Sequence, residues 1–234
     1  MAFFCKFILL LALLPIASCI PPFTCTISIT NENHASNIKG ALADLVASSA
    51  ETGFAKSHIN GDEEVYALTQ CRGDISGQAC KSCVTSAAKM LGQYCANYAD
   101  AFIWYDRCFI HYAKQNFFGS WKVDANSMFK ASVEDAPNPS TFSGVVSRQA
   151  QKVSNMAEHS AKLFAKISQP VKEIKGLNIN IMAQCTKDLT AHECAECLDW
   201  LREAMPTNCQ GKKWCQLLHT SCIIRYDTKV TSPK

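Results

Sequence analysis

Apolar side chains recur at helical spacing in "SNIKGALADLVASSAE", where Ile38, Leu42, Leu45 and Val46 share one face. The stretch has no proline, and Ser36 stands where an N-cap would. In "RQAQKVSNMAEHSAKLFAKI" the same spacing puts Val153, Met156, Leu163, Phe164 and Ile167 on a helix. Two more helices are expected in "KSCVTSAAKML" and "AECLDWLREAM", with Pro206 ending the latter. "EEVYALTQC" reads as a strand, and "LNINIMAQC" carries a weaker version of the pattern. "DAFIWYDRCFIHYAK" and "KWCQLLHTSCIIRYD" are dense in aromatic and branched residues, so each reads as a pair of strands. Helix, strand, helix and strand pair therefore occur twice in the same order.

The cysteines show that this order is a duplication. The steps from Cys71 to Cys185, Cys80 to Cys194, Cys83 to Cys197, Cys95 to Cys209 and Cys108 to Cys222 are all 114 residues. Gln70 and Gln184, Asp74 and Asp188, Ile110 and Ile224, and Tyr112 and Tyr226 keep the same step. Each copy has one cysteine the other lacks. Cys25 would align with Pro139, and Cys215 aligns with Ala101. The fold class is α+β, in two tandem modules, each with two helices packed on an antiparallel sheet. Pro137 and Pro139, with Asn and Ser around them, mark a boundary near residue 138. The expected organisation is module one over residues 20–125, a linker over 126–141 and module two over 142–230.

The start of the chain sets the compartment. Lys6, an apolar run from Phe7 to Ile16 and small residues at Ala17 and Ser18 have the form of a secretory signal peptide, residues 1–19. The run is short for a membrane span, so no membrane insertion is expected. Of 14 cysteines, Cys5 and Cys19 would leave with that peptide. The other twelve form an even set suited to three disulfides per module in an oxidising, extracellular setting. Charge adds an asymmetry: residues 20–141 carry 9 basic and 12 acidic side chains, residues 142–234 carry 13 and 8. No long basic run is present, and no nucleic-acid partner is expected.

The recurring "CRGDISGQACKSC" and "CTKDLTAHECAEC" could serve zinc, redox chemistry or disulfides. Zinc needs four ligands together, yet the two C-x2-C pairs lie in different copies and no histidine keeps the 114-residue step. A redox thiolate would have to escape several neighbouring cysteines. Structural bonding remains, and no metal or cofactor is expected. Cys80 and Cys83, three apart on a helix, share a face and can reach different partners; spacing alone leaves 15 pairings per module.

C-x8-C-x2-C, with an early cysteine and a following C-x11-C-x12-C, resembles the ginkbilobin-homologous module. Two such modules behind a signal peptide are similar to the plant cysteine-rich repeat secretory proteins, over residues 25–227. The resemblance implies a five-stranded sheet under two helices. It implies the pairs Cys25–Cys95, Cys71–Cys80 and Cys83–Cys108, then Cys185–Cys194 and Cys197–Cys222. Cys209 is left to Cys215. It also implies a mannose site of Asn, Arg and Glu, but those positions hold Thr26, Phe102 and Ala113 here. In the second copy two of them hold Gln216 and Asp227. Thr, Phe and Ala cannot offset the desolvation of sugar hydroxyls, so mannose binding does not transfer to them.

Phe102, Trp104 and Tyr105 form an aromatic run suited either to core packing or to a binding surface. The "RGD" of Arg72–Asp74 lies between two cysteines and reads as a tight loop, and the only N-x-S match, at Asn138, is barred by Pro139. No G-x-S-x-G, H-E-x-x-H or phosphate-binding glycine loop occurs, so no enzyme is expected. The expectation is a secreted, non-catalytic binding protein of the plant apoplast with a defence or stress role. Its ligand would be an extracellular protein, such as a receptor built from the same module, or alternatively a carbohydrate, as in an antifungal lectin.

Overall fold

The computed structural model describes residues 21–29, 31–123 and 126–230; the expected signal peptide lies outside them. Two modules follow one plan. The first holds β1 (Phe23–Ser28), α1 (Glu32–Thr52), β2 (Phe54–Ile59), β3 (Val65–Cys71), α2 (Gly77–Tyr94), β4 (Tyr98–Trp104) and β5 (Cys108–Ala113). The second holds β6 (Ser127–Ala131), α3 (Pro139–Glu158), β7 (Phe164–Pro170), β8 (Leu177–Cys185), α4 (Ala191–Asn208), β9 (Cys215–His219) and β10 (Cys222–Val230). The antiparallel sheets run β1-β4-β5-β3-β2 and β6-β9-β10-β8-β7, the same order twice.

Each helix pair covers one face of its sheet. Ile38, Leu42 and Leu45 of α1 pack with Val84 and Leu91 of α2 over Ile103 and Ile110. Phe142, Val146 and Val153 of α3 pack with Leu198 and Leu201 of α4 over Ile179 and Ile224. The repeated tyrosines tie the fifth strand to the end of the second helix: Tyr112 Oη donates to Cys95 O, and Tyr226 Oη donates to Cys209 O at 3.0 Å. Burial pushes both phenols upward, so they stay protonated donors.

Several elements depart from the sequence pattern. The N-cap of α1 is Asn31, which accepts from Asn33 N at 2.9 Å, and not Ser36. Leu163, Phe164 and Ile167 lie beyond α3, because the helix stops at Glu158 and β7 begins at Phe164. β7 alternates, burying Ala165 and Ile167 and exposing Lys166 and Ser168. With so few apolar residues, its period of two is hidden by the helix-like spacing of Leu163, Phe164 and Ile167. Pro206 does not end α4, which continues to Asn208; in the last turn proline removes only its own N–H bond.

The expected linker over 126–141 is largely structure of the second module. β6 pairs with β9, and α3 already starts at Pro139, a proline tolerated in the first turn. Cys25 therefore does not correspond to Pro139. Cys25 faces Ala101 across β1 and β4, and Ala131 faces Cys215 across β6 and β9. Its counterpart is Ala131, so the two modules exchange the odd cysteine across one strand pair. Either position reaches the cysteine after the second helix, and both bonds form: Cys25–Cys95 and Cys209–Cys215. The other four are Cys71–Cys80, Cys83–Cys108, Cys185–Cys194 and Cys197–Cys222.

Candidate functional site

Strand alternation sends every second side chain of each sheet away from the helices. In the first module that outer face carries Leu68, Phe102, Trp104 and Phe109, which pack as one cluster with Leu218 of the second module and with Phe117, Phe118 and Ile223 at its edge. Phe102 and Trp104 retain 2% and 4% of their exposure, so these two rings pack chiefly between the modules, while Tyr105 stays half-buried. Trp104 Nε1 and His111 Nδ1 are buried there without a partner.

The repeated glutamines explain how the modules register. Gln184 Oε1 accepts from Gly73 N at 3.2 Å, and Gln70 Oε1 accepts from Lys187 N at 3.1 Å. Gly73 and Lys187 are themselves 114 residues apart, so the two contacts are related by an approximate two-fold axis. Gln184 Nε2 also donates to Cys71 O at 2.9 Å. The RGD loop is absorbed by this junction. Gly73 faces the Phe164 ring so closely that a Cβ would sit 2.3 Å from its Cγ. Asp74 pairs with Arg72 and with Lys166 Nζ at 3.4 Å. Burial alone would raise the Asp74 pKa, but the Arg72 hydrogen bond and charge, with Lys166, outweigh it and hold the carboxyl below its ordinary value.

Beside the junction the outer faces part and leave a cleft. Its larger half, about 710 Å³, has walls of Trp104, Tyr105, Phe109, Leu218 and Ile223. Its smaller half, about 480 Å³, is polar, with Lys166, Ser168, Asn180, Asp227 and Lys229. Arg72, Asp106, Trp214, Gln216 and Arg225 border both. Arg225 Nη1 lies 2.8 Å from Asp106 Oδ1, Arg225 Nη2 donates to Asp106 O at 2.8 Å, and Arg72 Nη1 lies 3.5 Å from Asp106 Oδ2. Burial pushes the Arg225 pKa down, and Asp106 opposes that shift. One carboxylate of the first module thus bridges two guanidiniums, one from each module.

The positions that the ginkbilobin resemblance marks as a sugar site are divided between two settings. In the first module Thr26 Oγ1 donates to Asp100 O at 3.4 Å, while Phe102 and Ala113 are buried. In the second module Gln216 and Asp227 border the cleft, where Asn180 Nδ2 donates to Asp227 Oδ1 at 2.8 Å. Trp214 and Arg225 escaped the sequence reading. The constant step was the available signal, since it sets Trp214 against Asp100 and Arg225 against His111 on the same outer face.

One group of potential metal ligands occurs among the described residues, Cys197, His219 and Cys222. Its two sulfurs are joined to each other, so it has no thiolate to offer. His219 is instead a neutral tie: Nδ1 accepts from Ser221 N at 3.0 Å and Nε2 donates to Lys122 O at 3.1 Å. Burial pushes its pKa down to about 4, against the raising effect of the Lys122 carbonyl.

A family model described as "Salt stress response/antifungal" matches residues 23–115 and again 128–229. Cysteine-rich repeat secretory protein 55 of Arabidopsis thaliana is 34% identical over 196 residues, covering 82% of this chain and 74% of the relative. Antimicrobial ginkbilobin-2-like protein of Castanea crenata is 33% identical over 196 residues, covering 83% of this chain and 80% of the relative. The crystal structure of the tandem DUF26 ectodomain from the Arabidopsis thaliana cysteine-rich receptor-like protein PDLP8 aligns with a TM-score of 0.75 at 21% identity, covering 91% of this chain and 99% of that one. It shares the two-module fold.

Proposed function

The chain belongs to the salt stress response/antifungal family in both of its modules, and from that membership we propose that it is a secreted, non-catalytic recognition protein of the plant apoplast with a defence or stress role. Relatives named as secretory proteins and six disulfides support an extracellular setting. Among the described residues no helix is long and apolar enough to cross a membrane. The observation that carries the reading is the cleft, built by both modules and held at its centre by Arg72, Asp106 and Arg225. Aromatic walls beside a few fixed polar groups are the common make-up of a ligand site.

A carbohydrate is the alternative ligand, favoured by one specific placement. Trp214 offers a ring face, and Gln216, Asn180 and Asp227 offer amide and carboxylate partners beside it. A sugar needs both kinds of group. One relative is named antimicrobial.

The test is a screen of the mature, fully oxidised protein against glycans, cell-wall polysaccharides and plant receptor ectodomains. A saturable partner that is lost on reduction and weakened at least tenfold by Trp214→Ala is expected. Silence from a protein shown to be folded, or a partner indifferent to Trp214→Ala, would overturn the cleft as the recognition site.

A further inference from the structure

We propose that the larger, apolar half of the cleft binds a small organic anion: a carboxylate carried on an aliphatic or aromatic skeleton. The proposal rests on the recognition reading above and names a ligand class for that site. Its volume, about 710 Å³, lies within the range of about 300–1,000 Å³ that encloses small ligands. Trp104, Phe109, Leu218 and Ile223 would remove the skeleton from water at about 25 cal/mol for each Å² buried.

The charge at its edge is one-sided. Arg72, Arg107, Lys130 and Arg225 border this half, and Asp106 is the single carboxylate among its lining residues. Asp106 is shared by Arg72 and Arg225 and keeps 64% of its side-chain exposure, and Arg72 also pairs with Asp74, so the cations left over are Arg107 and Lys130. Arg107 and Lys130 form no ion pair among the described residues, although both stand at the mouth. The other lining titratable groups do not offset this. His219 is neutral at ordinary pH, and burial raises the Tyr105 phenol, so it stays protonated.

A neutral apolar guest would leave the rim cations without a countercharge, and a cationic guest would be repelled. A carboxylate has two acceptor oxygens for the guanidiniums, the pairing in which arginine is strongest. Low-dielectric walls strengthen that attraction beyond its value in water. The adjoining polar half has a different character. There Lys166 and Lys213 pair with Asp74 and Glu134, and Asp227 matches Lys229 in number, whereas Arg107 and Lys130 of the apolar half have no such counterpart.

The experiment is calorimetric titration of the mature, oxidised protein with dodecanoate and with 1-naphthoate. Dodecan-1-ol and dodecyltrimethylammonium serve as neutral and cationic controls, all below their aggregation limits. One saturable site is expected, at least tenfold tighter for the carboxylates than for either control. The double variant Arg107→Glu with Lys130→Glu should remove that preference and leave the thermal midpoint in place, because both side chains are exposed. Leu218→Trp should block the site by filling it. Equal affinity for anion and cation, affinity unchanged by the charge reversal, or no binding by folded wild type would each overturn the proposal. If carboxylates fail while the screen yields a partner that needs Trp214, the recognition reading stands and this inference falls. If both fail, both fall.

Discussion

The two modules share a core and differ at their edges. Both sheets have the same strand order, and both bury a branched core under two helices. In the first module Cys25–Cys95 pins the edge strand β1 to the end of α2 across 70 residues. In the second the equivalent strand β6 has no cysteine, and Cys209–Cys215 spans only 6 residues. The outer faces diverge as well. Aromatic side chains close the first against its neighbour, while polar and cationic side chains leave part of the second open. A repeat therefore keeps what each module needs to fold and varies what faces the other module or a ligand.

The disulfides give the largest contrast. Loop-closure entropy favours the 70-residue link at about 4 kcal/mol and the 6-residue link at about 2 kcal/mol. Replacing Cys25 and Cys95 by alanine should thus lower the denaturant midpoint about twice as far as replacing Cys209 and Cys215. Equal shifts would remove the contrast.

His219 and Tyr105 occupy equivalent positions and should respond differently to acid. The folded pKa of His219, about 4, lies below the unfolded value of 6.5. Its neutral form is favoured by folding, so this contribution is full above pH 6.5 and is lost as pH falls towards 4. The loss across that window is about 3 kcal/mol. Protonation would set an imidazole N–H against the Ser221 N–H. Denaturant melts between pH 7 and pH 4 should slope less steeply in His219→Asn than in wild type, and identical slopes would contradict this account.

At the junction, Gly73→Ala should destabilise by about 1–3 kcal/mol, because the new methyl meets Phe164 near its backbone. The counterpart Lys187→Ala loses only the bond from Nζ to Thr52 O, about 1 kcal/mol. Thermal midpoints should rank them in that order. The smallest effect lies at the second helices. Thr190 and Glu193 form a reciprocal cap on α4, whereas the equivalent Ser76 caps nothing with its side chain. Thr190→Ala should cost about 1 kcal/mol and Ser76→Ala a few tenths, by chemical denaturation.

Much of this was legible before any coordinates. The constant step exposed the duplication, and the amphipathic periods located both second helices and the paired strands. The α+β modules with three disulfides each are the fold that forms. What escaped had physical reasons. β6 is short and sits among Pro and Asn, so it read as linker, and its partner β9 lies more than eighty residues away. Leu163, Phe164 and Ile167 fall by chance at helical spacing, while β7 turns Ala165 and Ile167 to the core and Phe164 and Lys166 to the junction. The cleft was invisible because it forms only when two outer faces meet. Trp214 and Arg225 look ordinary until Asp106, more than a hundred residues earlier, is brought beside them.

The central claim, that recognition belongs to the cleft between the modules, where the second module contributes Trp214, is most directly tested by one pair of variants. Trp214 and Asp100 occupy equivalent positions in the two modules. Binding of the partner captured in the screen should be measured for Trp214→Ala and for Asp100→Ala at matched folding. The account predicts at least a tenfold loss for Trp214→Ala and an unchanged constant for Asp100→Ala. Loss confined to Asp100→Ala would contradict it and move recognition away from the cleft.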